Sequence, residues 1–193
     1  MRKPGRMRRR ASGASAPGPD RTSGRAAPAG LLLAALLPAA LPSPAYAGQG
    51  PPLPNPLYRY GYSLGFHPFT SPHAVRAQLT DNFWLFPVRG DCPSRIRLRD
   101  VCELLGGNPV RVEAVGQDSL QIATLPGHDL GEGLHIRFLF TRSLGLHCLV
   151  VSAWQNRPTA CTERTLCRAA SRAGARALWR VLSETLTMSA YIA

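Results

Sequence analysis

Several signatures are missing from this chain, and each absence excludes a class of function. There is no Cys-x-x-Cys pair and no Cys/His set with zinc-ligand spacing, so no metal site is expected. There is no phosphate-cradling P-loop and no G-x-G-x-x-G fingerprint. That removes the P-loop nucleotidases and the dinucleotide-binding oxidoreductases, and no cofactor is expected. Lysine occurs once, as Lys3, and every other basic residue is arginine. A long uninterrupted apolar run is also lacking: the best candidate, residues 29–47, is broken by Pro38, Pro42 and Pro44. It is too short and too often interrupted for a comfortable membrane span.

What the first 47 residues do contain is a basic start, a short apolar middle and an Ala45-Tyr46-Ala47 end. Small residues at the first and third of those positions are what a signal peptidase reads, so residues 1–47 are expected to be a secretory signal peptide cut after Ala47. The protein is then secreted or held in the cell envelope, with no integral membrane segment left after cleavage. The formal charge of +12 belongs mostly to the removed part. Residues 48–193 carry 15 arginines against 10 acids, a net +5 with no basic cluster, so no nucleic-acid partner is expected.

All five cysteines, Cys92, Cys102, Cys148, Cys161 and Cys167, follow the expected cut, and an oxidising compartment permits disulfides. Five is odd, so at least one has no partner in this chain. Cys148 lies in an apolar strand-like run and reads as a buried small hydrophobe. The other four allow two bridges, with the pairing open.

Residues 48–57 read as a Pro-rich linker, 58–187 as one domain and 188–193 as a tail. Alternation from Tyr58 to Phe66 predicts a strand. Thr70 or Ser71 as cap, Pro72 in the first turn and a stripe of Ala74, Val75, Leu79, Phe83 and Phe86 predict a helix stopped by Pro87. Residues 96–105 read as a strand running into a short helix, stopped at Gly106-Gly107-Asn108-Pro109. Four alternating runs follow, 110–115, 119–125, 134–140 and 146–154, as an antiparallel meander. A long helix over 163–186 closes the domain, with Leu166, Ala169, Ala170, Ala173, Ala177, Leu178, Val181 and Leu182 as its apolar face. Arg164, Arg168, Arg172, Arg176 and Arg180 recur on the side read as solvated.

This order of elements resembles the helix-grip superfamily of START-like and birch-pollen-allergen-like proteins. Pro72, Val75, Leu79 and Asp81 match the helix after the first strand of polyketide-cyclase-like members. Thr124, Leu125, Pro126, Gly127, His128, Gly131, Glu132 and Phe138 match the Thr-Leu-Pro-Gly-His signature of a domain-of-unknown-function family, over roughly residues 105–185. The resemblance implies an α+β fold: a curved antiparallel sheet wrapped around a long C-terminal helix, with a cavity between them.

Three functions fit this reading. In the leading one an exported protein binds a small apolar ligand in that cavity, with Trp84, Phe138, Phe140, Trp154 and Trp179 as candidate lining residues. In the second it is a cyclase- or hydrolase-like enzyme, with His128 and Glu132 as acid and base at the cavity mouth. The third is a cell-envelope interaction protein with a filled core. Pro126-Gly127 also suits the centre of a type II turn, which makes residues 124–133 a plain connection between strands. His135 and His147 fall on adjacent expected strands.

Overall fold

The computed structural model describes residues 53–190. The expected signal peptide, its cut after Ala47, and residues 48–52 and 191–193 lie outside the described residues.

Six strands form one antiparallel sheet: β1 (Pro56–Phe66), β2 (Val101–Leu104), β3 (Asn108–Val115), β4 (Ser119–Thr124), β5 (Leu134–Ser143) and β6 (Leu146–Gln155). The order across the sheet is β1-β6-β5-β4-β3-β2, so the first strand pairs with the last and four hairpin neighbours follow in sequence. Helix α1 (Pro72–Asp81) follows β1, and α2 (Ala160–Glu163) and α3 (Thr165–Ala190) follow β6. β1 begins inside the expected linker, and α3 runs into the expected tail.

Strand alternation assigns the two faces. Ile136 pairs with Ala153 and Phe138 with Val151, and all four are buried on the face that grips α3. Ile122 and Leu120 continue that face across β4, and Val110 and Val112 across β3.

In α1, the Ala74 N–H donates to Ser71 Oγ at 3.1 Å, which caps the helix, and Pro72 stands where no helical N–H is needed. Val75 and Leu79 are buried, while Asp81 reaches the surface and pairs with Arg95 at 3.3 Å. The helix stops at Asp81, five residues before the expected end. Asn82 leaves the helical region, and the Phe83 N–H donates to the Ser94 carbonyl instead. Phe83 and Phe86 are still buried and stacked, their ring centroids 4.7 Å apart, but in a short 3-10 turn, Phe83–Leu85, and its exit.

The short helix expected near residue 102 is absent. Val101–Leu104 pairs with β3, and a Cys92–Cys102 disulfide ties the preceding loop to it. A second disulfide joins Cys161 to Cys167 across the α2–α3 elbow, and Cys148 is buried with a free thiol.

The phase of α3 differs from the expected one. Leu166 is 86% exposed, and Ala169, Ala170, Ala173 and Ala177 also face solvent. Trp179, Leu182, Ser183 and Leu186 are the buried positions, with Ser171, Ala175 and Leu178 half-buried. Bulky side chains gain most from burial and set the rotation of a helix, whereas alanine is nearly indifferent to which face it occupies. The helix holds on to the sheet through β1: the Tyr60 and Tyr62 hydroxyls donate to the carbonyls of Arg172 and Arg176 at 3.1 and 2.9 Å.

Candidate functional site

A cavity of about 300 Å³ opens between the first half of α3 and the concave face of β1–β5. Its interior is built from alternate strand residues. Val110, Ile122, Leu134 and Ile136 supply aliphatic walls, and Trp179 closes one side. The rim is polar: Asn108, His128, Asp129, Arg168 and Arg172 line it and reach solvent to different degrees.

Two loops shape the rim. In the first, the His128 N–H donates to the Leu125 carbonyl at 3.2 Å around Pro126 and Gly127, whose φ is 95°. That is the expected type II turn, which needs positive φ at its third residue. A second turn follows directly, with the Gly131 N–H donating to the His128 carbonyl at 2.8 Å. Gly131 also has a φ of 88°, and a Cβ there would come within 2.8 Å of Thr159. The loop therefore packs against the cap of α2 at a point where only glycine fits. Thr124 pins both ends, its hydroxyl donating to the Gly131 carbonyl (2.7 Å) and accepting from the Leu134 N–H (2.9 Å).

The second loop is the β2–β3 turn. Asn108 Oδ1 accepts from the Asp129 N–H at 2.9 Å and its Nδ2 donates to Asp129 Oδ2 at 3.2 Å. On the opposite side Thr159 caps α2, and Gln155 Nε2 donates to the buried Thr162 hydroxyl at 2.6 Å.

The expected site residues scatter. His128 lines the rim, and its Nδ1 accepts from the Leu130 N–H at 3.1 Å. A neutral ring then carries its proton on Nε2. Burial lowers the pKa of His128, against the opposing pull of the Asp129 charge. Glu132 is exposed and is not part of the cavity wall, so the two residues are not assembled as an acid–base pair inside it. Trp179 is a wall residue. Phe138 and Phe140 are fully buried beyond the cavity, as packing rather than lining. Trp84 is 59% exposed, carried outward by the break after Asn82.

Trp154 belongs to the other face of the sheet. There it stacks on His135 with centroids 5.3 Å apart and lies beneath the Arg137 guanidinium. His135 Nδ1 is 2.7 Å from Glu113 Oε2, and Gln121 Nε2 donates to the same oxygen. Burial pushes the Glu113 carboxyl up. The hydrogen bonds from Gln121 and His135, with the charges of His135 and Arg111, outweigh it and leave the pKa below the usual value. His135 pairs with Trp154 and His147 with Arg142, so the two histidines sit at opposite ends of the β5–β6 ladder and do not meet. Among the described residues no three His, Cys, Asp or Glu side chains converge to hold a metal, and no helix is long and apolar enough to cross a membrane.

Tyr58 is the wall residue that sequence reasoning passed over. Its hydroxyl oxygen accepts from Trp179 Nε1 at 3.0 Å. Burial raises the phenol pKa far above its ordinary value, with the Trp179 hydrogen bond opposing, so it stays neutral.

A curved antiparallel sheet that grips one long C-terminal helix, with a cavity between them, defines the architecture. This is the helix-grip fold. Solved helix-grip structures align with the chain at low identity. DynU16, a protein of the dynemicin biosynthetic locus, superposes with a TM-score of 0.50 and 16% identity, over 66% of this chain. The alignment spans 46% of DynU16, a little under half its length. A protein from Nitrosospira multiformis superposes with a TM-score of 0.51 and 9% identity, over 69% of this chain and 98% of its own. At such identities the likeness concerns the fold. No protein-family model and no curated protein matches the chain.

Proposed function

We propose that this protein is exported and binds a small apolar ligand in the cavity beneath α3. The observation that carries this reading is the cavity itself: about 300 Å³ walled by Val110, Ile122, Leu134, Ile136 and Trp179, in a core that is otherwise closely packed. Ligand pockets begin at about this size and are apolar with a few placed polar groups. An apolar void left empty forfeits the dispersion contacts of its lining, at a cost that scales with its volume. A bound ligand restores them. The two disulfides suit an oxidising, extracytoplasmic compartment.

The test is a filled cavity. Ala175 faces the void from α3, and Ala175→Trp places an indole there. Wild-type protein should enhance the fluorescence of an apolar naphthalene-sulfonate probe and melt at a higher temperature with it bound. The variant should fold and lose both effects; a variant that still binds the probe as the wild type does removes the cavity as the binding site. For export, the mass of the protein recovered outside the cell should begin at Gly48. A mature form retaining Met1 or Met7 rules the cut out.

A further inference from the structure

The polar groups around the cavity are unequally satisfied, and that inequality describes a ligand. At the rim, Asp129 is held by Asn108. Arg168 and Arg172 line the same opening from successive turns of α3, and neither guanidinium has an acidic partner among the described residues. Two arginines against one carboxylate, beside a histidine whose burial favours the neutral ring, leave the opening positive.

Inside, the Tyr58 hydroxyl takes a hydrogen bond from Trp179 and keeps its own proton. Among the described residues nothing accepts that proton. Tyr58 is half-buried and lines the cavity, so a ligand oxygen or nitrogen can meet that proton, a hydrogen bond worth about 0.5–1.5 kcal/mol. Tyr58 stacks on Tyr60 with ring centroids 4.8 Å apart, and the Tyr60 hydroxyl donates to the Arg172 carbonyl, so the Tyr58 donor lies close to the level of Arg172 on the helix. The void of about 300 Å³ equals roughly ten waters at liquid density, room for an apolar body of about ten non-hydrogen atoms.

We infer that the ligand is an anionic amphiphile: a carboxylate-type head at Arg168 and Arg172, an apolar body in the cavity, and an oxygen acceptor close to the head for the Tyr58 hydroxyl. The inference rests on the cavity being a ligand site and adds the chemistry of its polar end. An apolar body alone accounts for the walls but leaves the rim charge and the Tyr58 proton unused.

Three ten-carbon probes separate the parts: decanol, decanoate and 3-hydroxydecanoate, titrated calorimetrically at low salt. Decanoate should bind about tenfold tighter than decanol, since two solvent-exposed ion pairs are worth modest and salt-sensitive amounts. Arg168→Ala with Arg172→Ala should abolish that preference and leave decanol affinity unchanged. Both side chains are exposed, so the double variant should fold, which circular dichroism verifies. The 3-hydroxyl should be accepted by the wild type, and Tyr58→Phe should weaken 3-hydroxydecanoate about tenfold while sparing decanoate. Equal binding of decanol and decanoate, or a preference that survives the double arginine variant, overturns the anionic head. Equal losses for both acids in Tyr58→Phe overturn the acceptor. Either result leaves the apolar-ligand reading standing. Failure of all three probes to bind overturns that reading as well.

Discussion

The space beneath α3 has two halves that differ in one respect, the size of what the helix presents to the sheet. Toward its C-terminal end α3 offers Trp179, Leu182 and Leu186, all buried. There Phe86, Phe138 and Trp179 meet edge to face, with Phe138 and Trp179 centroids 5.0 Å apart and Phe86 and Phe138 5.8 Å apart. Toward its N-terminal end the same helix offers Ser171 and Ala175 to a wall of Val110, Ile122 and Ile136. The sheet is continuous across both halves, and its inward residues are predominantly apolar in each. The cavity therefore comes from small residues on the helix rather than from a gap in the sheet. Trp179 borders both halves and is the partition between them.

The largest expected effect tests that partition directly. Phe138→Ala removes a ring packed on all sides and should cost about 3–5 kcal/mol in denaturant unfolding. Ile122→Ala removes a wall residue that already faces the void on one side. It forfeits fewer dispersion contacts and should cost less than about 2 kcal/mol. Equal losses would mean that the two halves are packed alike and that the cavity is closed in solution.

A smaller effect should follow from two histidines whose titration differs in setting. His147 is buried in the filled end of the molecule, where its Nε2 lies 3.1 and 3.0 Å from the carbonyls of His67 and Thr70. Burial lowers its pKa. The two carbonyls oppose that, and the charges of His67 and Arg142 add to the lowering. The folded state thus binds this proton less readily than the unfolded chain. Stability from His147 is complete above the unfolded value of 6.5 and is lost as the pH falls below it. His128 shifts in the same direction at the rim. Unfolding midpoints measured from pH 7.5 to pH 5 should decline, and His147→Gln, which keeps a donor for the carbonyls, should flatten the decline. An unchanged slope in that variant would assign the pH dependence elsewhere.

Much of the fold was legible in the sequence because period-two alternation is strong in β3, β4 and β5, and because Pro72 and Gly106-Gly107 punctuate the chain. Burial on both sides hid the rest. β6 is buried at every residue from His147 to Gln155, so parity alone could not assign Trp154 to the face opposite the cavity. Aromatic type was a poor guide to lining: Phe138 and Phe140 fill the half that has no void, and Trp84 follows the helix break outward. The cavity walls are aliphatic, and nothing in their composition separates a wall from a core. Tyr58 had a readable signal, since Tyr58, Tyr60 and Tyr62 alternate on one face of β1. Arg168 and Arg172 did not, because a row of arginines every four residues reads as a solvated helix face until the helix phase is known.

The smallest expected effect fixes that phase. An apolar face drawn through Leu166 and the alanines rotates α3 away from the arrangement that buries Trp179 and Leu182. Leu166 is 86% exposed, so Leu166→Gln should change stability by less than about 0.5 kcal/mol. Leu178 is half-buried and lines the cavity from the next face of the helix, and Leu178→Gln should cost about 1–2 kcal/mol by placing an amide against aliphatic walls. The polar amide should also weaken binding of the naphthalene-sulfonate probe, which Leu166→Gln should leave untouched. Comparable losses of stability in the two variants would return Leu166 to the buried face. The helix would then present its arginines to solvent, and the positive rim would have no source.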